Sequence, residues 1–231
     1  MSETRYLLAY HEQGLLDSCP APEGTIRMNL NRLPIPKEYQ RNAFCESRAL
    51  LTMALNPDPF LNSAHYLGLF QASYHQKFPE LPSLTTFPTG TFWGEAAPFC
   101  VYGPVVGPDY LDQCEVWHPG MRKCLETILR MANVKISNRP TVFCNSFIAH
   151  TSTWAEFLPA WLRMFLLAQD FFDKFSPTPG GDPSLAPAYL LERLTSAWFA
   201  QAKVQCIPIY SPTGRNYLPA YERKPTTSGS T

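Results

Sequence analysis

Residues 42–78 constrain the fold more tightly than any other part of the chain. Asn42-Ala-Phe-Cys-Glu46-Ser-Arg48 opens a helical pattern that runs to Leu55, and Asn56-Pro-Asp-Pro59 interrupts it. His65-Tyr-Leu-Gly-Leu-Phe70 follows as a short, mostly apolar run. A helix feeding straight into a strand that is apolar on both sides is the working unit of α/β architecture, because only helices on a sheet can hide both strand faces. The run ends in the polar tip Gln71-Ala-Ser73-Tyr74-His75. Open α/β sheets hold ligands in the crevice outside the carboxyl ends of their strands, so this tip is the first place to expect a site.

The flanking sequence extends the same pattern. Arg5–Tyr10 reads as a first buried strand with His11 and Glu12 at its carboxyl end, and 26–31 reads as an edge strand. Asn42 is the expected N-cap of the next helix, with Glu46 in the first turn and Phe44, Ala49, Leu51 and Leu55 facing the sheet. A short strand is expected at 98–102, a short helix at 109–114 and an amphipathic helix at 121–132, its stripe formed by Leu125, Ile128, Leu129 and Ala132. A strand over 141–149 carries the polar Asn145. Thr151 or Ser152 caps a largely apolar helix over 154–175. A helix at 188–202, a short strand at 204–209 and a polar, disordered tail at 224–231 complete the expectation of one α/β domain over 1–223.

Composition narrows the function classes. Hydrophobic residues make up 45% and charged residues 16%, which is globular rather than disordered. A formal net charge of +0 gives no basic face for nucleic acid. Twenty-three prolines imply rigid, irregular connections. No apolar run approaches the roughly 20 residues of a membrane span. Met1-Ser-Glu-Thr-Arg leads directly into an apolar run without a secretory pattern, so the seven cysteines are expected as free thiols in the cytoplasm.

Several chemistries compete. Cys114, His118 and Cys124 have spacings a zinc site could use, but the tight Cys-x-x-Cys pairs of structural zinc are missing, and separate core cysteines are the default. Cys45 or Cys144 could serve as a hydrolase nucleophile with His11, His75 or His150. The sequence contains no Gly-x-Ser-x-Gly elbow, Gly-x-Gly-x-x-Gly turn or phosphate-binding Gly-Lys-Ser/Thr loop. Any phosphate contact would come from Arg41, Arg48, Lys77 or a helix N-terminus. Glu192, among apolar helical neighbours, is either a surface acid or a buried one tied to Arg193. Asn145 is either a structural amide or a ligand-facing one.

The ordered segments 42–50, 66–78, 142–161 and 189–199 resemble a bacterial family of glycosyltransferase-like domains from capsular polysaccharide and O-antigen biosynthesis. The resemblance implies a GT-A-like, Rossmann-like domain with a mixed, mostly parallel sheet flanked by helices, taking a nucleotide-sugar donor and a glycan or lipid-linked acceptor. It places Tyr10 and His11 beside the nucleotide, with Glu46, Arg48, Gln71 and Ser73 also on the donor side. Glu192 and His75 become the catalytic candidates, and Asn145 and Arg193 the acceptor-binding ones. The family's usual metal-binding Asp-x-Asp is here Gln71-Ala-Ser73, and neutral groups cannot hold a divalent cation as carboxylates do. Asp109-x-x-Asp112 is the nearest acid pair elsewhere. The resemblance therefore implies no cofactor beyond the donor itself, with leaving-group charge met by Arg48, His75 or Lys77. Loss of activity with binding retained is the alternative. The Trp- and Phe-rich 154–175 helix offers core packing or a peripheral contact with assembly enzymes or the inner face of a membrane.

Overall fold

A computed structural model of the 231-residue chain describes residues 4–40, 44–62, 64–73, 99–100, 110–136, 142, 145–172, 186–202 and 207–208. The strands are β1 (Thr4–Tyr10), β2 (Ile26–Asn29), β3 (Tyr66–Gln71), β4 (Phe99–Cys100), β5 (Phe147–His150) and β6 (Ile207–Pro208). The helices are α1 (Gln13–Asp17), α2 (Ser47–Leu55), α3 (Asp58–Leu61), α4 (Tyr110–Trp117), α5 (Met121–Met131), α6 (Thr151–Phe172) and α7 (Ala186–Gln201), with a 3-10 turn at Lys37–Tyr39. They build a mixed α/β fold on one sheet of order β2-β1-β3-β5-β4-β6. Strand β5 runs antiparallel to both neighbours, while the other described strands share one direction.

Strand alternation divides the sheet residues between two faces. Leu7, Ala9, Leu67, Leu69, Phe147 and Ala149 join the main core with α2 and α4 to α7. Helix α6 lies over the sheet with Trp154 stacked on Phe147 at 4.3 Å, and Trp154 Nε1 donates to the Leu67 carbonyl at 2.8 Å. Its Phe157, Trp161, Phe165 and Phe172 are buried, so this helix uses its aromatic face in the core. Tyr6, Leu8, Tyr66, Phe70 and Ile148 are buried on the opposite face.

Two connections decide where a site can form. The step from β1 to β2 passes through α1, and the return from β2 to β3 passes back across β1 through α2. Parallel crossovers are right-handed, so steps in opposite directions place α1 and α2 on opposite faces. The carboxyl ends of β1 and β3 therefore flank a topological switch point, where open α/β sheets leave a crevice.

Several boundaries differ from expectation. Helix α2 starts at Ser47 with Glu46 as its N-cap, not at Asn42, because Cys45 has φ 44 and a left-handed residue cannot continue a right-handed helix. Asn42 itself lies outside the described residues. Leu55 is 43% exposed instead of facing the sheet, since it is the last residue of α2. The break at 56–59 leads into the short helix α3, with Pro59 in its first turn where a missing N–H is harmless. Asn145 precedes β5 in a left-handed turn (φ 50), so the strand begins later than its pattern implied. Helix α6 begins directly at Thr151, and the Ser152 N–H donates to His150 Nδ1 at 3.2 Å in place of a Thr or Ser cap. The expected tail at 224–231 and the proline-rich 79–88 lie outside the described residues.

Gly68 marks the tightest point of the sheet. A Cβ there would stand 2.9 Å from Tyr6 Cδ1, 3.0 Å from Phe70 Cε2 and 3.1 Å from Ile148 Cγ1. Close approach of neighbours, not a special backbone angle, demands glycine here. Gly68→Ala is expected to destabilise the protein by about 1–3 kcal/mol through overpacking. A urea midpoint equal to or above that of the parent would contradict this packing.

Candidate functional site

The carboxyl edge of the sheet gathers residues that lie far apart in sequence. Ala9 pairs with Gln71 in the parallel ladder, and the Ala72 N–H donates to the Ala9 carbonyl at 2.8 Å, so Tyr10 and His11 emerge beside the Gln71–Ser73 tip. Gln71 is buried and its Oε1 accepts from Ser73 Oγ at 3.2 Å. On the other side Tyr10 pairs with Asn29, and Asn31 Nδ2 donates to the His11 carbonyl at 3.1 Å. His11 is exposed, 3.8 Å from the Glu12 carboxylate. Tyr10, His11, Gln71 and Ser73 thus share one rim. His75 lies outside the described residues.

Antiparallel β5 enters the sheet at this same edge. Leu69 pairs with Phe147, so continuing the register sets Asn145 level with Gln71, the last residue of β3. Asn145 is 2% exposed and both ends of its amide are engaged. Its Nδ2 donates to Ser47 Oγ at 3.2 Å, and its Oδ1 accepts from Thr195 Oγ1 at 2.6 Å. One side chain therefore ties the start of α2 to the middle of α7. Both amide atoms thus have protein partners, the structural alternative for this residue: Asn145 positions two helices at the rim. Asparagine tolerates the left-handed backbone this turn requires better than most residues.

Helix α7 is buried over most of its circumference. Phe199 packs on Phe147 at 4.9 Å, Ser196 Oγ accepts from the Val142 N–H at 3.0 Å, and Thr195 meets Asn145. Glu192 lies on the same stripe, about 4.5 Å further along the axis than Thr195 at 1.5 Å per residue. It therefore stands past the sheet edge. Its Oε1 accepts from Nη1 of Arg193, which is 2% exposed, so the alternative of an acid tied to arginine holds. Residues adjacent in a helix do not normally face one another, and here the long arginine stem makes the contact.

At the start of α2, Arg48 is 5% exposed. Its Nε has no hydrogen-bond partner, and burial lowers its pKa, opposed by the charge of Cys45. Leaving a buried charged donor unsatisfied costs more than the roughly 1–3 kcal/mol typical of a neutral one. Glu46, the N-cap, makes no side-chain cap bond to the helix.

The rival chemistries fare differently. Among the described residues no three His, Cys, Asp or Glu side chains gather as a metal site. Cys114 is buried on α4, Cys124 is buried on α5, and the His118 ring stacks on Tyr189 at 3.9 Å. Burial pushes the Cys114 thiol up to about 12, with Arg193 opposing, and the Cys124 thiol up to about 11. Cys45 is half-buried in its left-handed turn, while Cys144, Arg41, Lys77 and Asp109 lie outside the described residues. A surface groove of about 370 Å³ between α5 and α6 is lined by Met131, Pro159, Leu162, Arg163, Leu166 and Leu167. It lacks the converging polar groups that orient a ligand. No described helix is long and apolar enough to cross a membrane.

The fold and rim define a mixed α/β protein with a polar rim at a strand switch point. Compared with models of known families, with curated proteins and with solved structures, the chain matches none significantly. Two signals for the rim were missed in the sequence: Thr195 and Ser47, ordinary helical residues whose hydroxyls acquire a role only from Asn145.

Thr195→Val is expected to destabilise by about 1–3 kcal/mol by stranding the Asn145 carbonyl. A double-mutant cycle with Asn145→Ala should show coupling of about 0.5–3 kcal/mol, and additive losses would deny the tie. The thiol of Cys114 rises from 9.0 to about 12 on folding, so its contribution is complete below about pH 9 and is lost as pH climbs towards 12. Denaturation midpoints should therefore fall through that interval, and Cys114→Ser or Cys114→Ala should flatten the fall.

Proposed function

We propose that this protein is a glycosyltransferase-like domain of bacterial polysaccharide assembly that seats a nucleotide-sugar donor at the carboxyl rim of β1 and β3. The observation that carries the reading is that Tyr10, His11, Gln71 and Ser73 lie together at the carboxyl ends of β1 and β3, beside the strand switch point. Arg48 and the Glu192–Arg193 pair rise from helices at the same edge. A sheet parallel except for β5 fits the GT-A-like arrangement expected for such a domain. In this reading the β1 end lies against the nucleotide, and Arg48 meets the diphosphate. Glu192 accepts the proton of the acceptor hydroxyl once Arg193 releases it, with the acceptor a glycan or a lipid-linked sugar.

A binding-only module of the same fold is the second reading. The engagement of Asn145 with Ser47 and Thr195, and of Glu192 with Arg193, favours it, because both groups proposed for acceptor chemistry already have partners. Donor hydrolysis separates the two.

Calorimetric titration of uridine, guanosine and cytidine diphosphates and their sugars is expected to show binding to at least one. Silence across all three would reject the donor site. With the binding donor, Glu192→Gln should lower turnover by about 10²–10⁴-fold while leaving donor affinity within about threefold, the usual contribution of a general base. Absence of turnover in the parent chain, with donor still bound, selects the binding-only module.

A further inference from the structure

We propose that the outer face of α6 pairs with the same face of a second copy of this chain, antiparallel, about a two-fold axis between Leu166 and Leu167. Helix α6 buries one side in the core, and its opposite side runs through Pro159, Leu162 and Leu166 at spacings of three and four residues. Leu166 is 46% exposed, and Met131, at the end of α5, is 48% exposed in the same groove of about 370 Å³. Large apolar side chains grouped in water mark a surface that a partner covers.

The charges along this face select the occupant. Glu156, Arg163 and Asp170 are exposed and stand seven residues apart, so they form one flank of the stripe, with the sign changing at each step. Among the described residues neither Arg163 nor Asp170 has an ion-pair partner. A closed symmetric dimer needs a face that complements itself, in which residue i meets j and j meets i. Two-fold symmetry across antiparallel helices brings the same flank of both copies together. Setting Arg163 against Asp170 then forms two opposite-charge pairs, and brings Leu166 level with Leu167 at the axis and Leu162 level with Phe171. Setting Arg163 against itself would also oppose Glu156 to Asp170, so that register is repulsive throughout. Pairing Arg163 with Glu156 would move Leu166 to the end of the contact, whereas binding energy concentrates in anchors near the centre. The ion pairs fix register and orientation, and the apolar stripe supplies the affinity. A surface of one sign, such as an anionic membrane, would meet one attractive and two repulsive groups along this flank. The stripe lies on the side of α6 turned away from the sheet, so pairing leaves the β1 and β3 rim of each copy open.

The paired stretch, residues 161–172, is about 18 Å long at 1.5 Å per residue, which places the contact at the lower end of specific interfaces. Sedimentation velocity of the full chain is therefore expected to show a reversible monomer–dimer equilibrium with a dissociation constant on the order of 1–100 µM. Leu166→Glu, at an exposed position, should keep the parent's melting temperature and weaken the dimer by about thirtyfold or more, the loss of a central anchor. Arg163→Asp and Asp170→Arg should each weaken it by about tenfold. An equimolar mixture of these two variants should pair to within about threefold of the parent affinity, because each supplies the charge that the other lacks. Glu156→Arg lies outside the paired stretch and should leave the equilibrium unchanged. A chain that stays monomeric across that concentration range, a dimer indifferent to Leu166→Glu, or single variants that do not recover on mixing would overturn the pairing. So would an effect of Glu156→Arg equal to that of Asp170→Arg. A monomer that floats with phosphatidylglycerol vesicles would also overturn it and assign the face to a membrane.

Discussion

Everything in this structure hangs on β3. All six residues from Tyr66 to Gln71 are buried, with β1 bonded along one side and β5 along the other. A strand without a wet face needs cover above and below, so its burial dictates the layer of helices on the main-core face. Gly68 shows how close the opposite face is packed, with three side chains near the position a methyl group would take. The Trp154 indole reaching the Leu67 carbonyl then fixes α6 across this strand. The rim forms where this buried strand ends and its polar residues begin.

The rim is held by devices that trade local comfort for placement. Cys45 and Asn145 both adopt positive φ, a conformation that disfavours side chains other than glycine, and they flank the same helix start. Asn145 offsets its backbone strain with two buried hydrogen bonds. Arg48 has no such compensation at Nε. A buried donor left without an acceptor opposes folding at that atom.

Much of this was legible from patterns of one or two turns. The apolar runs at Tyr6–Ala9 and Tyr66–Phe70 announced buried strands, and the stripe of Leu125, Ile128 and Leu129 announced α5, because side-chain periodicity is a local property. The rim residues Tyr10, His11, Gln71 and Ser73 were legible for the same reason, as polar ends of apolar runs. Helix starts were less so. Asn42 has the chemistry of a cap, yet the backbone reversal at Cys45 moved the start of α2 to Ser47. Leu55 kept the helical spacing but lost its core neighbours at the helix end. Capping and burial at an element's end depend on what the neighbouring element allows, which periodicity does not record.

The sequence by itself determined an α/β chain, the placement of its central strand and the polar tips of β1 and β3. Tertiary structure decided the rest. Only the reversed β5 brings Asn145 to the edge where β3 ends, and only α7, packed along that strand, gives Thr195 and Glu192 their positions there. The same packing made Asn145 a bridge between two helices and tied Glu192 to Arg193. The physical reason is range. Periodicity and turn chemistry act over a few residues, whereas the hydrogen bonds from Asn145 to Ser47 and Thr195 span 98 and 50 residues of chain. Contacts at that separation exist only after the sheet has chosen its strand order, and no local pattern in the chain encodes which distant hydroxyl will meet a given amide.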